Sequence, residues 1–98
     1  MELIGKMLVQ RFVRRRPQAR APMAAWVAVV EMARWQSPHD VRETLGHADF
    51  LGGGLTIFNV GGNKYRIGTT TAYQDQRVVI RRVMTHREYD RRSNESTL

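Results

Sequence analysis

The chain has 98 residues, 42% hydrophobic and 26% charged, with no cysteine. That fits one small domain with a single core and excludes disulfide scaffolds and cysteine-based zinc sites. Sixteen Lys and Arg against nine Asp and Glu give +7 and an isoelectric point near 11.0, a balance that favours nucleic acid, an anionic membrane or an acidic protein as partner.

Residues 1–20 carry +5 and residues 77–92 carry +4, while residues 31–55 carry −2. The positive charge sits at the two ends, and a compact fold can bring these onto one face. Fourteen of the sixteen cations are Arg, whose planar fork suits bidentate contact with phosphate, so RNA or DNA is the leading partner. The only sustained apolar run, Met23 to Val30, is far shorter than the roughly 20 residues of a membrane span. No export signal is legible, so a cytoplasmic protein with no membrane partner is expected.

Ile4, Met7, Leu8 and Phe12 recur at helical spacing with Lys6, Arg11, Arg14 and Arg15 on other faces, which predicts a basic amphipathic helix over 5–16. Met1 to Ile4 offer a short edge strand before it. Pro22 suits the first turn of a second helix to about Trp35, apolar nearly all round and therefore buried or covered by a partner. Ser37-Pro38-His39-Asp40 opens a short third helix reaching Gly46. The pattern then changes to β-formers: Leu55 to Val60, a Gly61-Gly62 turn, Asn63 to Ile67, a turn at Gln74 to Gln76, and a third antiparallel strand from Arg77 to Met84. Thr85 and Glu88 match a capping box, so a last helix starts at His86, with a polar tail from Ser93.

Period-2 alternation places Lys64 and Arg66 on one face of the second strand and Tyr65 and Ile67 on the other. Neighbouring cations on a sheet face make a bed for phosphate. The same parity puts Arg81 and Arg82 on opposite faces, so only one of them shares that bed. His86, at a helix start, faces unpaired N–H groups and the positive end of the dipole, where an anion is welcome. An imidazole titrates close enough to neutrality to move protons there, and Tyr89 lies three residues on, on the same side of the turn. His39 and His47 read as surface residues, and Trp26 and Trp35 as core or partner contacts. No GxGxxG, P-loop, HExxH or metal-spaced carboxylate cluster is present, so no cofactor or metal is expected.

FNVGGNKYRI (58–67) followed by VVIRRVMTHREYD (78–90) strongly resembles the HigB toxins of bacterial toxin–antitoxin systems, within the RelE/ParE-like superfamily. ARWQSPHDVRETLGHADF (33–50) and the basic helix after MELIG extend the likeness over nearly the whole chain up to Asp90. The resemblance implies an α+β fold with N-terminal helices packed on a small antiparallel β-sheet and a short C-terminal helix. One toxin domain then occupies residues 1–92, with a polar tail at 93–98. It implies a cytoplasmic endoribonuclease that cleaves mRNA, usually on the translating ribosome. It also implies a helix-turn-helix HigA-type antitoxin, through which the complex meets operator DNA. By matching position, Asn63, Lys64, Arg66, Arg81, His86 and Tyr89 are carried over as site residues; Arg82 and Arg87 are expected as further RNA contacts beside them, apart from that matching.

The chemistry expected of this set is metal-independent attack of an RNA 2′-hydroxyl on the adjacent phosphodiester. Arg66 and Arg81 stabilise charge on the phosphate, Lys64 positions it, and His86 moves a proton with Tyr89 orienting or sharing that role. Base and acid are not distinguished at this level. Two rivals stand beside it: a ParE-like protein that inhibits DNA gyrase without chemistry, and a non-catalytic basic module that binds RNA or the ribosome. Thr69 to Thr71 thin the apolar character of the second strand, and Arg82 stands where relatives often carry an apolar or acidic residue.

Overall fold

The structure, a computed structural model, describes residues 1–94. Chain order is β1 (Glu2–Ile4), α1 (Lys6–Arg15), a 3-10 turn (Pro17–Ala19), α2 (Arg20–Met32), α3 (Pro38–Thr44), β2 (Asp49–Phe50), β3 (Leu55–Val60), β4 (Tyr65–Ala72), β5 (Arg77–Thr85) and α4 (His86–Asn94). The strands form one sheet in the order β1-β5-β4-β3-β2. Its β2–β3, β3–β4 and β4–β5 pairs are antiparallel, whereas β1 lies parallel to β5. The sheet is therefore mixed and not purely antiparallel. No tight turn joins β1 to β5, so nothing imposes the antiparallel sense on that edge.

Helical spacing decides which side chains meet the sheet. Val9 and Phe12 of α1 and Met23, Trp26 and Val30 of α2 are buried against one sheet face. Phe58 of β3 is the hub: Trp26 meets it edge-on at 5.4 Å, and Trp35 stacks on it at 6.0 Å. Phe12 meets Tyr65 edge-on at 5.6 Å, tying α1 to the start of β4. Thr69 is fully buried in the stretch where apolar character thins, and its hydroxyl donates to the Thr56 carbonyl at 3.0 Å. The bond satisfies the one polar group that the position brings into the interior.

Several boundaries differ from the sequence pattern. α2 starts at Arg20 and stops at Met32, because Ala33 turns extended and carries Trp35 under Phe58. Pro22 sits in the first turn of α2, where a missing N–H costs nothing. The β3–β4 connection is a four-residue turn, 61–64, with Gly61 and Gly62 both at positive φ, so Lys64 lies in the turn and strand parity does not govern it. β2, two residues long, was not legible at all. α4 runs to Asn94, so the first two residues of the expected tail are helical, and 95–98 lie outside the described residues.

Gly5 joins β1 to α1 at φ +93°, and a Cβ there would come within 2.9 Å of the Ile80 carbonyl oxygen. Gly5→Ala therefore combines left-handed strain with a backbone clash and is expected to cost about 2 kcal/mol or more. A urea unfolding curve with an unshifted midpoint would contradict this account of the crossing.

Candidate active site

Arg66 leaves β4 on the face opposite the helices, yet it is only 6% exposed. Its guanidinium is held by four hydrogen bonds. Nη1 donates to the Tyr65 carbonyl at 3.0 Å and the Asn63 carbonyl at 3.3 Å, and Nη2 donates to Asn63 Oδ1 at 2.8 Å. The fourth contact joins Nη2 to His86 Nδ1 at 2.9 Å. The Gly61–Gly62 turn thus brings Asn63 back over the side chain of Arg66, three residues on.

His86 reaches this point because β5 runs straight into α4 beside the start of β4. Tyr65 pairs with Thr85, and the His86 N–H donates to the Lys64 carbonyl at 2.8 Å. The capping box forms as expected: Glu88 N–H donates to Thr85 Oγ1, and Thr85 N–H donates to Glu88 Oε1, both at 3.1 Å. Tyr89 lies with its ring 5.7 Å from the Arg66 guanidinium carbon, so both predicted aromatic residues of this turn converge on Arg66. Burial pushes the Tyr89 hydroxyl up, with Asp49 and Asp90 adding to the shift against Arg66. The phenol therefore stays a proton donor at neutral pH.

Burial alone raises the Glu88 carboxyl, but hydrogen bonds from Thr85, with Arg16 and Arg91 nearby, outweigh it and hold the group below its usual range. A depressed folded value means a stabilising contribution above the ordinary carboxylate pKa of about 4.3, lost as pH falls through the folded value. Glu88→Gln is accordingly expected to destabilise at pH 7 and to approach the parent as the pH falls through the folded value, read by urea unfolding at pH 7 and across the acid range. Thr85→Ala, which removes the cap itself, is expected to cost about 1 kcal/mol.

Arg81 and Arg82 do not diverge. The β4–β5 register shifts at Gly68/Thr69, with Gly68 opposite Arg82 and Thr69 opposite Ile80, so Arg81 is the extra residue of a bulge. The bulge puts both side chains on the Arg66 face, around a small apolar patch of Leu55, Ile57, Gly68 and Met84. Arg81 Nε donates to Thr70 Oγ1 at 3.1 Å, and Thr70 lies four residues along β4 from Arg66, roughly 13 Å away. The two arginines extend the cationic face without touching the Arg66–His86 pair. Arg87 is exposed on α4, rotated by roughly 100° from His86. Lys64 is exposed at the turn and enters the cluster through its carbonyl. His39 and His47 are exposed, as expected, and Trp26 and Trp35 are core.

Asp90 was missed by reading residue types singly. Its Oδ2 lies 3.2 Å from His86 Nε2, and the signal was there in the i, i+4 spacing on one helix. The two ends of the chain also meet, since Arg16 at the end of α1 lies 3.9 Å from Glu88.

Helices on one face of a five-stranded sheet, with a cationic cluster where β4, β5 and α4 meet on the other, define a RelE-like α+β protein. The chain belongs to the HigB toxin family, the RelE-like toxic components of toxin–antitoxin systems, which it matches over residues 19–92. It is 50% identical over 34 residues to the mRNA interferase toxin HigB of Escherichia coli K12. The mRNA interferases HigB of Escherichia coli O157:H7 and Shigella flexneri match to the same extent. That stretch is 35% of this chain and 33% of the relatives, so the match spans about a third of their length. Among the described residues no helix is long and apolar enough to cross a membrane.

Proposed function

We propose that the protein is an mRNA interferase acting in the cytoplasm on the translating ribosome, neutralised by a helix-turn-helix antitoxin whose complex with it meets operator DNA. The observation that carries this reading is the 2.9 Å contact between Arg66 and His86. It sets an anion-binding fork against a proton-transfer group on an open sheet face. Arg66 receives the scissile phosphate and stabilises the charge that develops on it. His86 takes the 2′-hydroxyl proton as the 2′ oxygen bonds to phosphorus. The P–O5′ bond breaks and the 5′ oxygen takes a proton from water. Tyr89, its ring 5.7 Å from the Arg66 guanidinium carbon, stands beside the phosphate as a donor, Asn63 fixes the Arg66 fork, and Lys64 at the turn positions the RNA chain. Arg81, Arg82 and Arg87 hold flanking phosphates, a sequence-independent term that weakens with salt.

The products test this chemistry. Cleaved RNA is expected to end in a 2′,3′-cyclic phosphate, resistant to phosphatase until the ring is opened. Ends carrying a 3′-hydroxyl and a 5′-phosphate would contradict attack by the 2′-hydroxyl.

A further inference from the structure

His86 has a charged partner at each ring nitrogen, a hydrogen bond from Arg66 at Nδ1 and the Asp90 carboxylate 3.2 Å from Nε2, which is an unusual state for a group that must take up a proton. A guanidinium has donors only, so Nδ1, 2.9 Å from Arg66 Nη2, accepts there and carries the lone pair. The ring proton is then on Nε2, which faces Asp90 Oδ2 at 3.2 Å. The nitrogen with the lone pair is the one that Arg66 covers.

The four bonds of Arg66 also divide its fork. Asn63 takes the end of it, with its carbonyl on Nη1 and its Oδ1 on Nη2, while Tyr65 takes the rest of Nη1. The side edge, made of Nε and Nη2, is left to His86. That edge is one of the two that bind a phosphate through paired N–H groups. A phosphodiester seated there competes for the same Nη2 proton that holds Nδ1.

Resting on the nuclease reading, we propose that His86 is a latched base. Asp90 keeps the ring proton on Nε2, Arg66 covers Nδ1 in the free protein, and a phosphodiester on the Nε/Nη2 edge draws Arg66 off and frees Nδ1 for the 2′-hydroxyl proton. The step balances within the site. The O2′–H bond gives its proton to Nδ1, O2′–P forms and P–O5′ breaks. The 5′ oxygen takes a proton from water, and the imidazolium later returns one to solvent. Asp90 is a positioning residue in this scheme, acting through the imidazole, and the substrate switches on its own base.

Nitrogen-15 NMR of the His86 ring tests the latch without RNA cleavage. The free wild-type protein is expected to carry its proton on Nε2. Adding inorganic phosphate is expected to move the Nδ1 resonance towards that of an unbonded lone pair, and Arg66→Lys to abolish the phosphate effect. A ring protonated at Nδ1, or phosphate binding at Arg66 that leaves Nδ1 unmoved, overturns the proposal. In cleavage assays Asp90→Ala is expected to lower kcat about tenfold with KM nearly unchanged. Asp90→Asn, whose amide oxygen still accepts from Nε2–H, is expected to recover most of the loss. Wild-type kcat in Asp90→Ala overturns the role of Asp90. Absence of cleavage by the wild-type protein defeats the nuclease reading instead, and the NMR result stands apart from it.

Discussion

Replacing Arg66 with Lys is expected to lower RNA cleavage about a hundred- to a thousandfold while leaving a folded protein. The charge survives this change but the fork does not. One ammonium cannot reach Asn63 Oδ1, the Asn63 and Tyr65 carbonyls and His86 Nδ1 together, nor can it present two parallel donors to a phosphate. The magnitude is that of losing one preorganised donor set from a site where charge develops in the transition state. The Asn63 carbonyl sits at the turn, but the Tyr65 carbonyl is buried with Arg66, so the change also costs stability, about 1–3 kcal/mol for the partner left unpaired, less than a typical total stability. Cleavage rates alongside far-ultraviolet circular dichroism check the point. Wild-type rates in a folded Arg66→Lys protein would remove the guanidinium from the chemistry.

Phe58→Ala is expected to do the reverse, leaving the site's residues in place while removing the support beneath them. Phe58 is 1% exposed and packs against both tryptophans, so its loss combines transfer and cavity terms of about 3–5 kcal/mol. For a chain of this size that lowers the melting temperature by on the order of 20 °C and consumes much of a typical total stability of about 5–15 kcal/mol. Thermal and urea unfolding read it directly. A shift under about 1 kcal/mol would mean that Trp26 and Trp35 close over the gap and that Phe58 is not the hub.

The sequence carried the helix starts and the site's two halves because these depend on local chemistry. Ser37 caps α3 and Thr85 with Glu88 caps α4 as their spacing demands, while Arg66 and His86 were paired as site residues only through the family resemblance of GGNKYR and THREYD. Features set by tertiary packing were not legible. β2 is two residues long and exists only as a partner for β3. The end of α2 is fixed by Trp35 reaching Phe58, which no propensity of residues 33–35 expresses. The bulge at Arg81 reverses a parity argument that is sound for any regular strand. Asp90 was hidden for a different reason: an acid four residues after a histidine on a helix is common, and its meaning depends on what holds the other nitrogen of the ring.

A time course in a translation extract tests the central claim most directly, with new mRNA 5′ ends mapped after adding the wild-type protein or His86→Ala, and with ribosome-free RNA run alongside. New ends are expected only where ribosomes and the wild-type protein are both present, and none with His86→Ala. Intact mRNA throughout, with a folded wild-type protein, would contradict the account and make the Arg66–His86 cluster a binding surface without chemistry.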